Sequence, residues 1–188
     1  ELNDCKIVIW TTTPWTIPAN QALNVNPESD YVLLRLEPNK FKLNWVILAN
    51  NLYESCLLKW GLQGVTVGKI KGFELKDIQF RHPMWVNDKF FQRLSKIIPA
   101  DYVECEEGTG IVHSAPAHGL DDFLSCKSNG LDDKNILSIV KANGCYVDEL
   151  PIFGGLHIWK ANTEVALALE STNTLLTKNE FQHSTMHC

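Results

Sequence analysis

Trp10-Thr11-Thr12-Thr13-Pro14-Trp15-Thr16-Ile17-Pro18-Ala19-Asn20 follows a short apolar run, Lys6-Ile7-Val8-Ile9-Trp10, that reads as a strand reaching its end. Pro14 lacks a backbone donor and pushes Thr13 into an extended conformation. Thr11 to Thr13 are therefore expected in extended chain, with Thr11 and Thr13 facing one way and Thr12 the other. Pro18 blocks an immediate return to regular structure. The expected result is a rigid, hydroxyl-rich rim beside two tryptophans. Such a rim suits a pocket that is polar on one edge and apolar on the other. Taken alone, the triplet reads as an ordinary Thr-rich strand edge, because threonine favours strands.

A second segment changes that balance: Gly108-Thr109-Gly110-Ile111-Val112-His113-Ser114-Ala115-Pro116-Ala117-His118-Gly119-Leu120-Asp121-Asp122-Phe123. Gly108 and Gly110 permit tight turns or close backbone approach. Ile111-Val112 reads as a short strand with His113 emerging at its end. Pro116 and Gly119 then break the chain, and Asp121 or Asp122 stands where a helix could begin and could cap its free amides. A histidine and an aspartate on a loop held by Gly and Pro are also what a polar site needs.

Outward from these segments, strands are expected at Ile7–Trp10, Tyr31–Leu36, Trp45–Leu48, Val65–Lys71, Tyr102–Glu104 and Ile111–His113, with a weaker one at Leu175–Thr177. Leu52–Trp60 reads as a helix stopped by Gly61. Asn162 is expected to cap a second helix, Thr163–Glu170, and Asp122–Ser128 a third, stopped near Gly130. Strands with irregularly interspersed helices point to α+β rather than a doubly wound parallel sheet. Gln79–Pro99 and Leu131–Gly155 read as irregular or peripheral pieces. No internal repeat and no low-complexity tract is present.

The chain has 188 residues, a length that suits one domain with a conventional core. Its 45% hydrophobic and 21% charged residues are the balance of an ordinary soluble globular protein. The net charge of −5 argues against a free-standing nucleic-acid binder, which carries a basic face, but not against gripping a single-stranded end anchored elsewhere. No apolar run approaches the ~20 residues that span a bilayer. The opening Glu1-Leu2-Asn3-Asp4-Cys5-Lys6 is neither a signal peptide nor an Arg-rich transit peptide, and the ends at Glu1 and Cys188 are expected to be cuts within a longer chain. Six scattered cysteines without Cys-x-x-Cys point to reduced thiols and an intracellular setting. His183, His187 and Cys188 lack a second ligand pair, so no metal is expected there. No P-loop, dinucleotide fingerprint or Gly-x-Ser-x-Gly appears, and the cysteines lie outside both motifs.

Together the two segments resemble the editing domain of isoleucyl-tRNA synthetase, the connective peptide inserted into that class I enzyme's catalytic domain. Trp10-Thr11-Thr12-Thr13-Pro14-Trp15-Thr16 with Asn20 matches the family's threonine-rich motif, and Gly108 through Asp122 its second motif. Asn143-Gly144-Cys145-Tyr146, Phe153-Gly154-Gly155-Leu156, Lys160-Ala161-Asn162 and a closing Gln182-His183-Ser184 follow in order. Ala117-His118-Gly119 and the Gly144–Lys160 region fit the bacterial or organellar branch, and Thr185-Met186 departs from the usual Tyr-Pro. Valyl-type relatives look like Thr-Thr-Arg-Pro-Glu-Thr and leucyl-type ones like Thr-Thr-Arg-Pro-Asp-Thr. Here Pro14-Trp15 stands without arginine, and His113 stands where those relatives tend to carry Lys or Met.

The resemblance implies a β-barrel-like core of mixed strands flanked by a few short helices, and one editing domain over 1–188 cut from a longer synthetase. It implies hydrolysis of valine esterified to the 3′ end of isoleucine tRNA, with valyl-adenylate as a second candidate substrate, and rejection of the isoleucyl ester by pocket size. The partners implied are that tRNA end and the rest of the synthetase in cis. The domain itself needs no cofactor, while the parent enzyme would use ATP and Mg. The compartment would be the cytoplasm in a bacterium, or a mitochondrion or other organelle in a eukaryote. Two other readings stand beside this one: a tRNA-end docking module whose hydrolysis has decayed, and a valyl-type editor acting on threonyl-tRNA. Thr12, Thr13, His113 and Asp122 favour the first over decay, and Trp15 and His113 argue against the valyl type.

An aminoacyl ester is already activated, so its hydrolysis needs a positioned water, a held ammonium group and help for the tetrahedral oxyanion, not a covalent nucleophile. Asp122, aligned with the family motif, is expected to anchor the α-ammonium, with Asp121 in reserve. Thr11, Thr12 and Thr13 offer hydroxyls for the water, the ribose and the carbonyl. Asn20 is expected to bond the adenosine and Trp15 to line the apolar side. His113 has two candidate roles, a base or water-orienting group, or a wall that admits valine and rejects isoleucine. His118 is a weaker candidate that closes the loop.

Overall fold

The computed structural model describes residues 4–179. The closing Gln182-His183-Ser184, Thr185-Met186 and His187-Cys188 lie outside the described residues. In chain order the strands are β1 (Cys5–Ile7), β2 (Ala22–Val25), β3 (Asp30–Leu36), β4 (Trp45–Ala49), β5 (Gly64–Lys71), β6 (Gln79–Arg81), β7 (Leu94–Pro99) and β8 (Ile111–Ser114). The helices are α1 (Tyr53–Trp60), α2 (Leu120–Ser128) and α3 (Ile158–Ser171). The strands build two mixed four-stranded sheets, ordered β1-β4-β3-β5 and β6-β7-β2-β8, and neither closes into a barrel. The α+β class with mixed strands is as the sequence led one to expect.

The first sheet follows from apolar alternation. Val32, Leu34 and Leu36 of β3 and Val46 and Leu48 of β4 are buried together with Cys56, Leu57 and Trp60, the inner face of α1. Gly61 ends α1 in the left-handed conformation, at φ 63°, and its N–H bonds back to the last turn. The second sheet has β2 at its heart, parallel to β7 and antiparallel to β8. Leu23 and Val25 of β2, Ile97 of β7 and Ile111 of β8 meet Tyr31 and Ala49 of the first sheet in one cluster that joins the two. A Tyr31 hydroxyl bond of 2.8 Å to the Gly110 carbonyl fastens the loop before β8 to the same cluster.

A third cluster has no strand in it. Ile17 and Ala19, Met84 and Phe91, Ile139, Tyr146, Leu150 and Phe153 pack against Ala161, Val165 and Leu169, a one-sided stripe on α3. Each such side chain contributes about 1.5–3 kcal/mol when fully buried. The expectation that Gln79–Pro99 is irregular or peripheral is therefore corrected: it supplies β6 and β7, with Met84, Phe91 and Ile97 fully buried. Leu131–Gly155 is irregular, yet Tyr146 and Phe153 make it part of the core. Tyr102–Glu104 and Leu175–Thr177 are not strands; the former leaves β7 through a turn in which the Val103 N–H bonds the Ala100 carbonyl.

Two helix starts also differ. α3 begins at Ile158, capped by His157, whose Nδ1 accepts from the Trp159 N–H. Asn162 lies inside the helix, where its Oδ1 accepts from the Trp15 N–H at 3.0 Å. α2 starts at Leu120 after Gly119, and neither Asp121 nor Asp122 takes the cap position.

Candidate active site

The threonine segment does not stay extended. The Thr13 N–H turns back to the Thr11 hydroxyl at 3.0 Å, which bends the chain. The expected alternation is corrected accordingly: Thr12 and Thr13 hydroxyls lie side by side, 3.2 Å apart. Pro14 then opens a 3₁₀ helix, Pro14–Ala19, which contains Pro18 and buries Thr16 to Ala19. This short helix is fixed from three directions. Arg93 donates to the carbonyls of Pro18 and Asn20, Tyr146 donates to the Trp15 carbonyl, and Asn162 accepts from Trp15. Burial pulls the Arg93 guanidinium down to about 10, and backbone carbonyls rather than a carboxylate receive its protons.

His113, the third residue of β8, is buried against this helix. Its Nε2 is 2.7 Å from the Thr16 hydroxyl and its Nδ1 is 2.9 Å from Asn20 Nδ2. Asn20 also donates to the Ala22 carbonyl, and its Oδ1 accepts from the Ser95 hydroxyl. An amide NH₂ can only donate, so Nδ1 of His113 accepts and Nε2 carries the ring proton. That proton goes to Thr16, whose own hydroxyl donates to the Thr13 carbonyl at 2.8 Å. Burial pushes the His113 ring down to about 4; the Asp122 charge opposes this and the nearby His118 adds to it. The ring is therefore neutral near pH 7.

Asp122 stands on the first turn of α2 and is half-buried. Its Oδ2 accepts from the Ala115 N–H at 2.9 Å and its Oδ1 from the Tyr102 hydroxyl at 3.2 Å. A carboxylate accepts about four bonds, so acceptor capacity remains for a ligand. Tyr102 is held well above the usual phenol range, by burial first and by Asp122 second. His118 lies edge-on to Trp15, with ring centroids 5.0 Å apart, and burial lowers its pKa against the pull of Asp122.

Thr16 and Asn20 bond His113, Trp15 lies against His118, and Asp122 acts on both histidine rings, so the short helix, β8 and the loop to α2 form one corner, with Thr12 and Thr13 on the bend that leads into the short helix. Thr11 shapes the bend by accepting from the Thr13 N–H. Asp121 is set apart: it is exposed and lines a groove of ≈ 570 Å³ on the flank of α2 with Tyr102, Leu124 and Ser125. None of the threonines or histidines above lines that groove. Asn20, expected to reach adenosine, is 4% exposed and bonds Ala22, His113 and Ser95 internally.

Sequence reading passed over Thr16, Arg93, Ser95 and Tyr102. For Ser95 a signal existed. In Leu94-Ser95-Lys96-Ile97 the period of two puts Ser95 on the face of Ile97, a polar group at a core position. Arg93 and Tyr102 carried no such mark. Among the described residues no three His, Cys, Asp or Glu side chains converge on a metal position, and no helix is long and apolar enough to cross a membrane.

Solved structures share this fold. A leucyl-tRNA synthetase CP1 structure, GlLeuRS-CP1, superposes with a TM-score of 0.67 at 16% identity, covering 94% of this chain and 84% of its own. The editing domain of the cytosolic leucyl-tRNA synthetase of P. knowlesi gives 0.62 at 12% identity over 90% of this chain and 83% of its own. The fold is that of these aminoacyl-tRNA synthetase editing domains. No protein-family model matches the chain. Its sequence is homologous to a segment of isoleucine–tRNA ligase: 46% identical to that of Bordetella petrii over 187 residues, the whole of this chain, and 51% identical to that of Pseudomonas aeruginosa over 97% of it. The chain spans 20% of the length of the Bordetella enzyme and 18% of the Pseudomonas one.

Proposed function

We propose that this domain hydrolyses valine esterified to the 3′-terminal adenosine of isoleucine tRNA and spares the isoleucyl ester. The observation that carries the reading is the buried, neutral His113 ring, held beside the threonine loop and within the field of the Asp122 carboxylate. Isoleucyl enzymes are the standing example of why such a site is needed, since one methylene is worth only ~1–3 kcal/mol in a hydrophobic pocket. A second pocket that fits only the smaller product supplies the missing discrimination.

The free acceptor capacity of Asp122 suits it to hold the α-ammonium through a charge-assisted bond. The adjacent Thr12 and Thr13 hydroxyls suit a water aimed at the valyl carbonyl carbon. That water adds to the carbon, the bond to the ribose oxygen breaks, and one water proton ends on that oxygen while the valine leaves as the free acid. His113 is ill suited to be the base, because its Nε2 already bears the proton and its Nδ1 lone pair is engaged. We assign it instead to the wall that excludes the larger side chain, with Trp15 on the apolar side. The tRNA 3′ end and the remainder of a synthetase in cis are the proposed partners.

The test is incubation with valyl- and isoleucyl-charged isoleucine tRNA, following release of free amino acid, for the chain and for a synthetase carrying it. The valyl ester is expected to be cleaved and the isoleucyl ester largely spared. Equal cleavage of both overturns the size-sieve reading.

A further inference from the structure

Asn20 stands inside the motif that carries the chemistry, yet its side chain faces the protein. Its amide is gripped on both ends. The Ala22 carbonyl takes one Nδ2 proton, His113 Nδ1 the other, and the Ser95 hydroxyl donates to Oδ1. All four residues are buried. They come from β2, β7, β8 and the end of the short helix, so the amide sits where the second sheet meets the threonine loop.

The orientation of this one amide decides the state of the ring. With Nδ2 toward the ring, Nδ1 must accept and the proton must lie on Nε2. With Oδ1 toward it, Nδ1 would have to carry a proton, and Oδ1 would oppose the Ala22 carbonyl. Ser95 makes the first orientation favourable, because its hydroxyl satisfies Oδ1 and has no other partner among the described residues. From the ring the order continues through Thr16 to the Thr13 carbonyl. A serine on β7 is thereby linked, through three side chains, to the bend that sets the Thr12 and Thr13 hydroxyls side by side.

We propose that Ser95 and Asn20 are positioning residues that hold His113 as a neutral, Nε2-protonated ring, and that Asn20 is not a substrate contact. This rests on the site proposed above. Asn20→Asp replaces the donating amide by a carboxylate of the same shape, so His113 takes a proton on Nδ1. Ser95→Ala leaves Oδ1 buried without its donor and weakens the same orientation. Ser95→Thr keeps the hydroxyl.

Ring-nitrogen NMR on the 188-residue chain reads this directly, without substrate. Wild type and Ser95→Thr are expected to show His113 neutral with Nε2–H at pH 6. Asn20→Asp should move the proton to Nδ1 or yield the imidazolium, and Ser95→Ala should populate both tautomers. A wild-type ring protonated on Nδ1, or a ring unchanged in Asn20→Asp, overturns the proposal. Ester hydrolysis supplies the second readout: in Asn20→Asp and Ser95→Ala, kcat should fall about 10-fold or more with KM within about 2-fold. A raised KM with kcat kept marks Asn20 as a direct contact and also overturns it. Should wild type release no valine while the ring signals behave as expected, the assigned reaction fails and the positioning stands. If Asn20→Asp does not fold, the wild-type tautomer and the serine pair still decide.

Discussion

Asn20 Nδ2 approaches His113 Nδ1 to 2.9 Å, and this contact fixes in place a ring that burial has already pushed down to about 4 and left uncharged near pH 7. The ring is held from both nitrogens, so it cannot swing aside for a bulkier side chain. A rigid wall rejects an extra methylene by overpacking, which costs more than the methylene gains in contact. His113→Ala is therefore expected to open the pocket and let the isoleucyl ester be cleaved. The measurement is the ratio of isoleucyl to valyl ester hydrolysis. A ratio no higher than wild type removes the wall from the scheme.

Stability should depend on pH through the same ring. His113 is lowered to about 4 and His82 to about 3, both by burial, from an ordinary 6.5. Between those values and 6.5 the unfolded chain binds protons that the native state refuses. The contribution is thus complete above about 6.5 and is lost as pH falls, by ~1.4 kcal/mol per pH unit for each histidine. Urea unfolding at pH 7.5, 6 and 5 should show a progressive fall in midpoint. Equal midpoints at pH 7.5 and 5 would mean that neither ring is buried neutral.

Asp122 has two jobs that can be separated. Its Oδ2 holds the Ala115 N–H, and its charge is the proposed anchor for the ammonium. Asp122→Asn keeps an acceptor and removes the charge. It should lower valyl ester cleavage by at least 100-fold, with the fold retained and a loss of stability on the order of 1 kcal/mol. Asp121→Ala, on the neighbouring groove, should leave cleavage near wild type. An inactive Asp121→Ala beside an active Asp122→Asn would reverse the assignment.

The loop before β8 is tested by glycine. Gly110 has φ 70°, and a Cβ there would overlap the Cβ of Ala49. Gly61, at φ 63°, has nothing within 4 Å of such a Cβ. Gly61→Ala should cost only the left-handed strain, about 1–2 kcal/mol, whereas Gly110→Ala adds overpacking and should cost roughly 2–5 kcal/mol. Thermal melts of the two variants compare them; equal losses would mean that the Gly110 contact yields without cost.

Much of this was legible in the chain. β3, β4 and β5 carry alternation or unbroken apolar runs, and α1 carries a helical stripe closed by Gly61. His113 stood out because Gly, Pro and a short strand bracket it; the same pattern left Asp121 and Asp122 open, and the resemblance to the editing-domain motif favoured Asp122. β2 escaped notice because it is buried on both faces, so Ala22-Leu23-Asn24-Val25 shows no alternation, and Asn24 at its centre reads as a turn. α3 was begun too late because Asn162 has the character of a cap; its amide instead serves a residue 147 positions away. The threonine bend was hidden for a related reason. It is made by a side chain, Thr11, bonding a backbone that proline alone would have left extended.

That separation of 147 residues between Trp15 and Asn162 has a consequence for biosynthesis. The hydroxyl-bearing bend leaves the ribosome before Tyr146 and Asn162, which hold its helix and follow Trp15 by 131 and 147 residues. At about 5–20 residues per second the wait is roughly 7–30 s. Through that interval Trp15, Ile17 and Ala19 lack the part of their cluster that Tyr146, Phe153 and α3 supply, so a nascent chain stalled before α3 is exposed to chaperones and proteases. The candidate corner becomes whole only when α3 has been made and returns to the threonine bend.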